Sequence, residues 1–158
     1  MFKNLFKMPK PNLIVGPPDK PYLKRWYLIP RNKFFNIYLH QFVNDDEDRA
    51  LHDHPWHSIS FTLKGFYFEH LPDGDFRIWK AGSIVFRKAT HLHRIALFYD
   101  LAINDAQKFV ETRKPAWTLF ITGPNIREWG FACPQGWVHW KDFVLPDDQG
   151  RVGKGCDQ

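Results

Sequence analysis

The chain has 158 residues, 44% of them hydrophobic and 17% aromatic, which suffices for one domain with a real core and is too short for two ordinary domains. The formal net charge is +5, and no DNA- or RNA-binding motif accompanies it, so nucleic-acid binding is not indicated. No apolar run reaches the ~20 residues that cross a membrane, and no signal-peptide pattern opens the chain. With only Cys133 and Cys156 and no disulfide framework, we expect a cytoplasmic protein with reduced thiols.

The first 22 residues are expected to form an extended arm. They hold five of the twelve prolines, and proline lacks the N–H that a β-ladder needs. Residues 1–33 also carry eight basic residues against a single acid, Asp19. Such an arm either contacts an anionic partner or lies solvated and loosely attached, and the second alternative is more common. The sequence thus predicts an arm at 1–22, one folded domain at 23–145 and a flexible tail at 146–158.

From residue 23 onwards the composition of the sequence is typical of short β-strands. The stretches YLKRWYLIP, NKFFNIYLHQFV and AWTLFITGP are rich in aromatic and branched residues. In HSISFTLKG, hydroxyl residues starting at Ser58 alternate with apolar residues starting at Ile59, which is typical of a half-buried strand. Only residues 100–113 could hold a helix, and their periodicity is poor. Many short strands separated by turn signals predict an all-β sandwich or barrel.

Two His-x-His pairs frame the middle of the chain. His52 and His54 precede the alternating strand, and His91 and His93 follow a strand that begins after a glycine. Residues i and i+2 of a strand point to the same side, so each pair can face one interior. Imidazole is a common ligand for Fe, Zn, Ni, Cu and Mn. One such pair alone is a weak indication, because these pairs also occur on protein surfaces.

Residues 46–65 resemble the first motif of the cupin superfamily, which reads Gly, five residues, His-x-His, three or four residues, Glu, six residues, Gly. His52 and His54 match the histidine pair, and Gly65 matches the closing glycine. Ser58 stands at the glutamate position and Asp46 at the leading glycine. The carboxylate ligand of the family motif is therefore missing at its usual place.

Residues 82–93 are similar to the second cupin motif, which reads Gly, five residues, Pro-x-Gly, two residues, His. Gly82 and His93 match its two ends, while Lys88 and Thr90 replace the proline and the second glycine. The resemblance is close over residues 50–93. The rest of the chain shares with the family only a composition rich in predicted strands. It implies a cupin-type double-stranded β-helix, that is, a jelly-roll barrel, and by family habit a homodimer.

The resemblance also implies a metal site formed by His52, His54 and His93, similar to the three-histidine cupins of the cysteine dioxygenase type. One divalent transition metal per chain is expected, with Fe favoured over Zn, Ni or Mn. Three neutral imidazoles leave the charge of the cation intact, with open positions for substrate. We therefore expect an oxygenase acting on a small anionic or chelating molecule. Two alternatives stay open: a cupin sugar isomerase or epimerase, and a non-enzymatic ligand-binding module.

Further side chains are candidates for supporting the three histidines or for lining the ligand pocket. They are His57, Ser58, Glu69, His91, Arg94 and Arg127. The two arginines offer a guanidinium fork to an anionic group, although a surface salt bridge is their more common role. Trp129 and Trp137 are candidates for an apolar pocket wall or a lid, and Cys133 is expected to be a small buried hydrophobe.

Overall fold

The computed structural model describes residues 8–46, 50–103, 109–145 and 153–157. In this part of the chain the fold is built almost wholly from antiparallel strands. The strands are β1 (Leu13–Val15), β2 (Leu23–Tyr27), β3 (Asn36–Phe42), β4 (Leu51–His52), β5 (Ser58–Lys64), β6 (Phe66–His70), β7 (Phe76–Lys80), β8 (Ile84–Arg87), β9 (Arg94–Leu97), β10 (Tyr99–Ile103), β11 (Phe109–Arg113), β12 (Ala116–Thr122), β13 (Gly130–Cys133) and β14 (Gly136–His139). A 3-10 turn at Pro72–Gly74 and one short helix, α1 (Trp140–Phe143), complete the described elements.

The strands form two layers around a common interior. The larger layer is a six-stranded sheet in the order β1-β2-β3-β12-β5-β8. The other layer consists of two three-stranded sheets, β14-β13-β4 and β7-β6-β9, which are joined where the backbones of His52 and His93 pair. Leu23, Phe42 and Ala116 of the large sheet pack against Tyr67 and other apolar residues of the second layer. The described strands do not close into a single barrel, since β1 and β8 end the large sheet.

Strand β5 shows which face of the large sheet points inwards. Ser58, Ser60 and Thr62 are 3%, 3% and 2% exposed, whereas Ile59 and Leu63 are 37% and 54% exposed. The alternation expected from the sequence is present, and the hydroxyl residues occupy the inner face. Of these three residues, Ser60 lines a cavity between the layers.

The two motif glycines lie at turns that require their backbone conformation. Gly65 has φ +75° between β5 and β6, and a Cβ there would lie 2.6 Å from the carbonyl oxygen of Pro115. Gly82 has φ +91° between β7 and β8. L-residues rarely adopt these φ values. Both positions therefore depend on glycine, as the resemblance to the cupin motifs implies.

Part of the proline-rich N-terminal segment joins the fold. Residues 13–15 form β1, in which Leu13 pairs with Arg25 in β2, and Val15 packs against the hydrophobic core. The nearest prolines, at 11 and 17, lie outside this three-residue strand, so its ladder hydrogen bonds are possible. Residues 13–15 of this segment are therefore part of the large sheet rather than of a surface arm.

The region considered for a helix, residues 100–113, is a β-hairpin instead. Strands β10 and β11 pair in register from Tyr99 with Arg113 to Ile103 with Phe109. Residues 104–108 lie outside the described residues. The poor helical periodicity of this segment agrees with the hairpin.

The described part of the C-terminal tail is attached to the domain. Cys156 forms a disulfide with Cys133 of β13, and the N–H groups of Gly153 and Gly155 donate to the carbonyl oxygen of Phe143. Both cysteines are therefore paired, which differs from the expectation of reduced thiols and of an unpaired Cys133. Residues 146–152 and 158 lie outside the described residues, so the expected flexibility of the tail concerns only them.

We expect the disulfide to stabilise the domain measurably. The two cysteines are 23 residues apart, and closing a loop of that length contributes about 3 kcal/mol in the chain-entropy model. Reduction with dithiothreitol should therefore lower the free energy of unfolding in urea by roughly this amount. The double variant C133S/C156S is the control, because reductant should not change its stability. Two titratable thiols in the denatured, unreduced protein would contradict the pairing.

Candidate metal centre and ligand cavity

A buried aspartate holds the segment that carries the first two histidines. His52 ends β4, His54 follows two residues later, and Asp53 between them is only 3% exposed. The Asp53 carboxylate accepts a hydrogen bond from the N–H of Gly130 at 2.8 Å and forms an ion pair with Arg127 at 2.6 Å. With Asp53 anchored to β13, its neighbours on either side turn to the opposite face, which is the interior.

His93 completes the cluster from the other half of the chain. Its backbone and that of His52 exchange two hydrogen bonds, N···O 2.9 and 3.0 Å. The ring centroids of His52, His54 and His93 are each 5.2 Å from the other two. The Nε2 atoms of His54 and His93 are 2.9 Å apart, and one nitrogen from each of the three rings lies within 4.8 Å of the others. These three residues could hold a metal ion.

The environment keeps these imidazoles neutral. Burial, with a smaller contribution from His93, lowers the pKa of His52 from 6.5 to about 3. Burial and neighbouring positive groups, Arg87 and Arg25 among them, lower the pKa of His54 well below its usual value. Burial also lowers the pKa of His93, against the opposing effect of Glu69. Because a histidine must be neutral to bind a cation, the cluster is in the protonation state that metal binding requires.

Two carboxylates stand behind the cluster. Oδ2 of Asp46 lies 3.4 Å from Nδ1 of His52, and Oε1 of Glu69 lies 2.8 Å from Nδ1 of His93. In metal sites, a carboxylate on one imidazole nitrogen fixes the ring and increases the basicity of the other nitrogen. Here the two Nδ1 atoms lie near carboxylates without meeting the geometry of a hydrogen bond, and Nε2 of His93 faces His54.

Glu69 is the centre of a buried polar network. Its carboxylate is 1% exposed and accepts hydrogen bonds from Nε of Arg87 at 2.6 Å and from the indole N–H of Trp79. Nε2 of His91 lies 3.2 Å from the same Oε1 that faces His93. Burial alone would raise the pKa of Glu69, but hydrogen bonds from His91, His93 and Arg87 hold it well below its usual range. Glu69 is therefore ionised, and Glu69, His91 and His93 form a second group of potential metal ligands.

The three histidines line a cavity of about 440 Å³, the size of sites for small organic molecules. Most of the wall is apolar, and its Phe, Tyr and Trp residues are Tyr22, Phe42, Trp56, Tyr67, Phe120, Trp129, Phe131 and Trp140. Trp129 stacks on Trp140 with ring centroids 5.7 Å apart, and α1 carries Trp140 to the wall. Trp129 thus lies in the apolar wall, in agreement with the hypothesis of an apolar pocket wall. Trp137 does not line the cavity and is 47% exposed.

A second polar group lines the same cavity, on the large sheet. Arg25 and His40 are register partners on β2 and β3, and Nε of Arg25 donates to Nε2 of His40 at 2.8 Å. Thr118 of β12 is the next register partner of His40. Sequence reasoning missed all three, because a cross-strand row of residues from 25, 40 and 118 has no local pattern. The only available signal was the alternation of Tyr38, His40 and Phe42 along β3.

Four further sequence candidates do not line the cavity: His57, Ser58, Arg94 and Arg127. His57 is exposed and its Nδ1 accepts a hydrogen bond from the N–H of Ala89. Ser58 is buried but does not line the cavity. Arg94 begins β9, and Arg127 pairs with Asp53. Neither arginine is among the residues that line the cavity, where Arg25 and Arg87 are the positively charged side chains.

No protein-family model and no curated protein matches this sequence. Within the described residues, no helix is long and apolar enough to span a membrane.

Solved structures resemble the fold at low sequence identity. The DMSP lyase DddQ of Ruegeria pomeroyi aligns with a TM-score of 0.51 at 17% identity, covering 78% of this chain and 58% of that chain. An uncharacterized conserved protein with a double-stranded β-helix domain from Klebsiella pneumoniae aligns at 0.49 with 16% identity, over 75% of this chain and 90% of that chain. A cupin superfamily protein of Desulfitobacterium hafniense aligns at 0.46 with 12% identity, over 75% of this chain and 84% of that chain.

At these identities the likeness concerns the fold alone. The two antiparallel layers, the backbone pair that joins the two histidine motifs and the motif glycines at their turns agree with it. The chain has the cupin-type double-stranded β-helix fold.

Proposed function

We propose that the protein binds one divalent transition metal through His52, His54 and His93 and acts as an oxygenase on a small anionic or chelating molecule. The observation that carries the proposal is the convergence of three neutral imidazoles on the wall of an internal cavity. Two nitrogens 2.9 Å apart can both reach one ion at the ~2.0–2.1 Å typical of metal–imidazole bonds. The carboxylates behind His52 and His93 support the same assignment.

Iron is the metal we favour, with zinc, nickel and manganese as alternatives. When bound, iron would supply the redox chemistry of oxygen activation. The chain's own residues have separate roles: Asp46 and Glu69 orient the imidazoles, and the aromatic wall excludes water from the cavity.

The homodimer and the cytoplasmic location stay predictions. Exposed apolar side chains on β5 and β8, among them Leu63, Ile84 and Phe86, offer a surface that a second copy could cover. Sedimentation velocity would measure the state of assembly.

We expect His93→Ala to remove most of the metal affinity. His93 brings the second motif to the first, and losing even an outer-sphere partner of a metal ligand weakens binding about 10–100-fold. The apparent Kd for Co²⁺, measured by titration of the metal-free protein, should therefore rise by on the order of 100-fold or more. His57→Ala is the matched control, because His57 faces solvent, and it should change the Kd little. If His57→Ala abolishes binding and His93→Ala does not, the ligand set is wrong.

We expect the metal-free protein to lose stability as the pH falls. The buried histidines His40, His52, His54 and His93 have lowered pKa values, whereas in the unfolded chain each titrates near ~6.5. Below that pH the unfolded state takes up protons that the folded state does not, so stability is present above ~6.5 and declines in acid. Each histidine contributes up to about 1.4 kcal/mol per pH unit.

Urea unfolding between about pH 5 and pH 7 measures this slope. His40→Gln should reduce it by up to one proton equivalent, while saturating Zn²⁺ should raise stability at each pH in the wild type but not in His93→Ala. A stability that does not change over this range would contradict the buried neutral histidines.

We expect oxygen consumption by the iron-loaded protein with at least one member of a panel of thiols and β-diketones. An oxygen electrode measures the rate, and His93→Ala loaded in the same way is the control. Metal binding without oxygen uptake or product formation across the panel would favour the isomerase or the binding module. Absence of metal from untagged protein, together with no Co²⁺ binding, would exclude the oxygenase and leave the isomerase, in which a histidine acts as base, and the non-enzymatic module.

A further inference from the structure

Arg25 is a half-buried cation in the cavity wall, and it has no acidic partner among the described residues. It lies on β2 and lines the cavity together with the three histidines. The other cation of the wall, Arg87, is neutralised by Glu69 at 2.6 Å. No carboxylate lies within 4.0 Å of the Arg25 guanidinium in the described part of the chain. A charge in such surroundings is costly unless a counter-ion accompanies it.

The protein holds the Arg25 guanidinium in a fixed orientation. Its Nε donates to His40, and its Cζ lies 4.6 Å from the centroid of the Tyr38 ring, which covers one face. His40 is in turn stacked between Tyr38 and Phe120, with centroid distances of 5.8 and 4.9 Å. Nε is thereby occupied, and the two terminal nitrogens have no hydrogen-bond acceptor among the described residues. They form the end of the guanidinium that matches two oxygens.

Thr118 adds a donor on the same cross-strand row, on the other side of His40 from Arg25. It is the cross-strand neighbour of His40, lines the cavity and is 1% exposed. Its hydroxyl has no hydrogen-bond partner within the described residues. A buried hydroxyl without a partner costs about 1–3 kcal/mol. The row Arg25, His40 and Thr118 therefore combines a fixed cation with an unused hydroxyl on one face of the sheet.

We propose that Arg25, assisted by the Thr118 hydroxyl, binds the carboxylate of a small organic acid whose apolar body lies along the aromatic wall. A single guanidinium and one hydroxyl suit the two oxygens and one charge of a carboxylate. A phosphate, with three terminal oxygens and up to two charges, ordinarily gathers more donors. The acid's other end reaches the three histidines, and only this part rests on the metal site proposed above.

The test compares an acid with its neutral isostere. Calorimetry measures the Kd of 3-phenylpropionate and of 3-phenylpropionamide for the metal-free wild type. The acid should bind at least about tenfold more tightly, the effect of one charge-assisted contact. Arg25→Met should abolish this preference, and Arg25→Lys should keep only part of it, because it retains the charge and loses the fork. Thr118→Val should weaken acid binding a few-fold and leave amide binding unchanged.

Lys24→Met is the matched control, since Lys24 is the adjacent cation on β2 and does not line the cavity; it should keep the preference. Equal binding of acid and amide by the wild type, failure of both to bind, or a preference that survives Arg25→Met would overturn the proposal.

Co²⁺ titration distinguishes the Arg25 proposal from the metal-site proposal. Arg25→Met should bind Co²⁺ as the wild type does, and His93→Ala should lose Co²⁺ but keep the preference for the acid. A wild type that prefers the acid and binds no metal would refute the metal site and support Arg25.

Discussion

The backbone pair between His52 and His93 is the contact on which the rest of this architecture depends. Its two hydrogen bonds join the sheet β14-β13-β4 to the sheet β7-β6-β9, which share no other described ladder. Each bond has a modest net value, about 0.5–1.5 kcal/mol, but the pair fixes the distance between two distant parts of the chain. Because main-chain atoms make this connection, the two imidazoles remain free to face the cavity. One contact thus both assembles the second layer and forms the candidate site.

Behind that pair, Glu69 and Arg87 form a buried ion pair whose value lies in positioning rather than in stability. Removing two charges from water costs several kcal/mol per ion, and their attraction offsets this only with further hydrogen bonds. Glu69 has these from Trp79 and Arg87, with His91 and His93 also in reach. The cupin motif places a carboxylate where Ser58 stands. Here the carboxylate comes from β6 instead and lies behind His93, on the side away from its Nε2.

The sequence predicted those features that repeat along one strand or recur at fixed spacing. The all-β class and the turn at Gly82 are of this kind, whereas the approach of the two His-x-His pairs was expected only from the resemblance to the cupin motifs. The alternation of Ser58 and Ile59 does not by itself identify the inner face of β5. The cupin register placed Ser58 inside, and Ser58 is buried but does not line the cavity. Contacts between distant segments also leave no local pattern. The pairing of Cys133 with Cys156, the hairpin at 99–113 and the row from Arg25 to Thr118 all required the three-dimensional structure.

Several buried polar groups of this fold oppose its stability. Among the described residues, hydroxyls on the inner face of β5 and β12 lack hydrogen-bond partners, four histidines are held neutral by burial, and no carboxylate lies within 4.0 Å of the Arg25 guanidinium. Apolar side chains of similar size would satisfy the fold better at each of these positions. Such groups persist in a small domain when something other than folding requires them. Of these groups, Arg25, Thr118 and the four histidines line the cavity, where a ligand with a negatively charged acceptor would pair with Arg25.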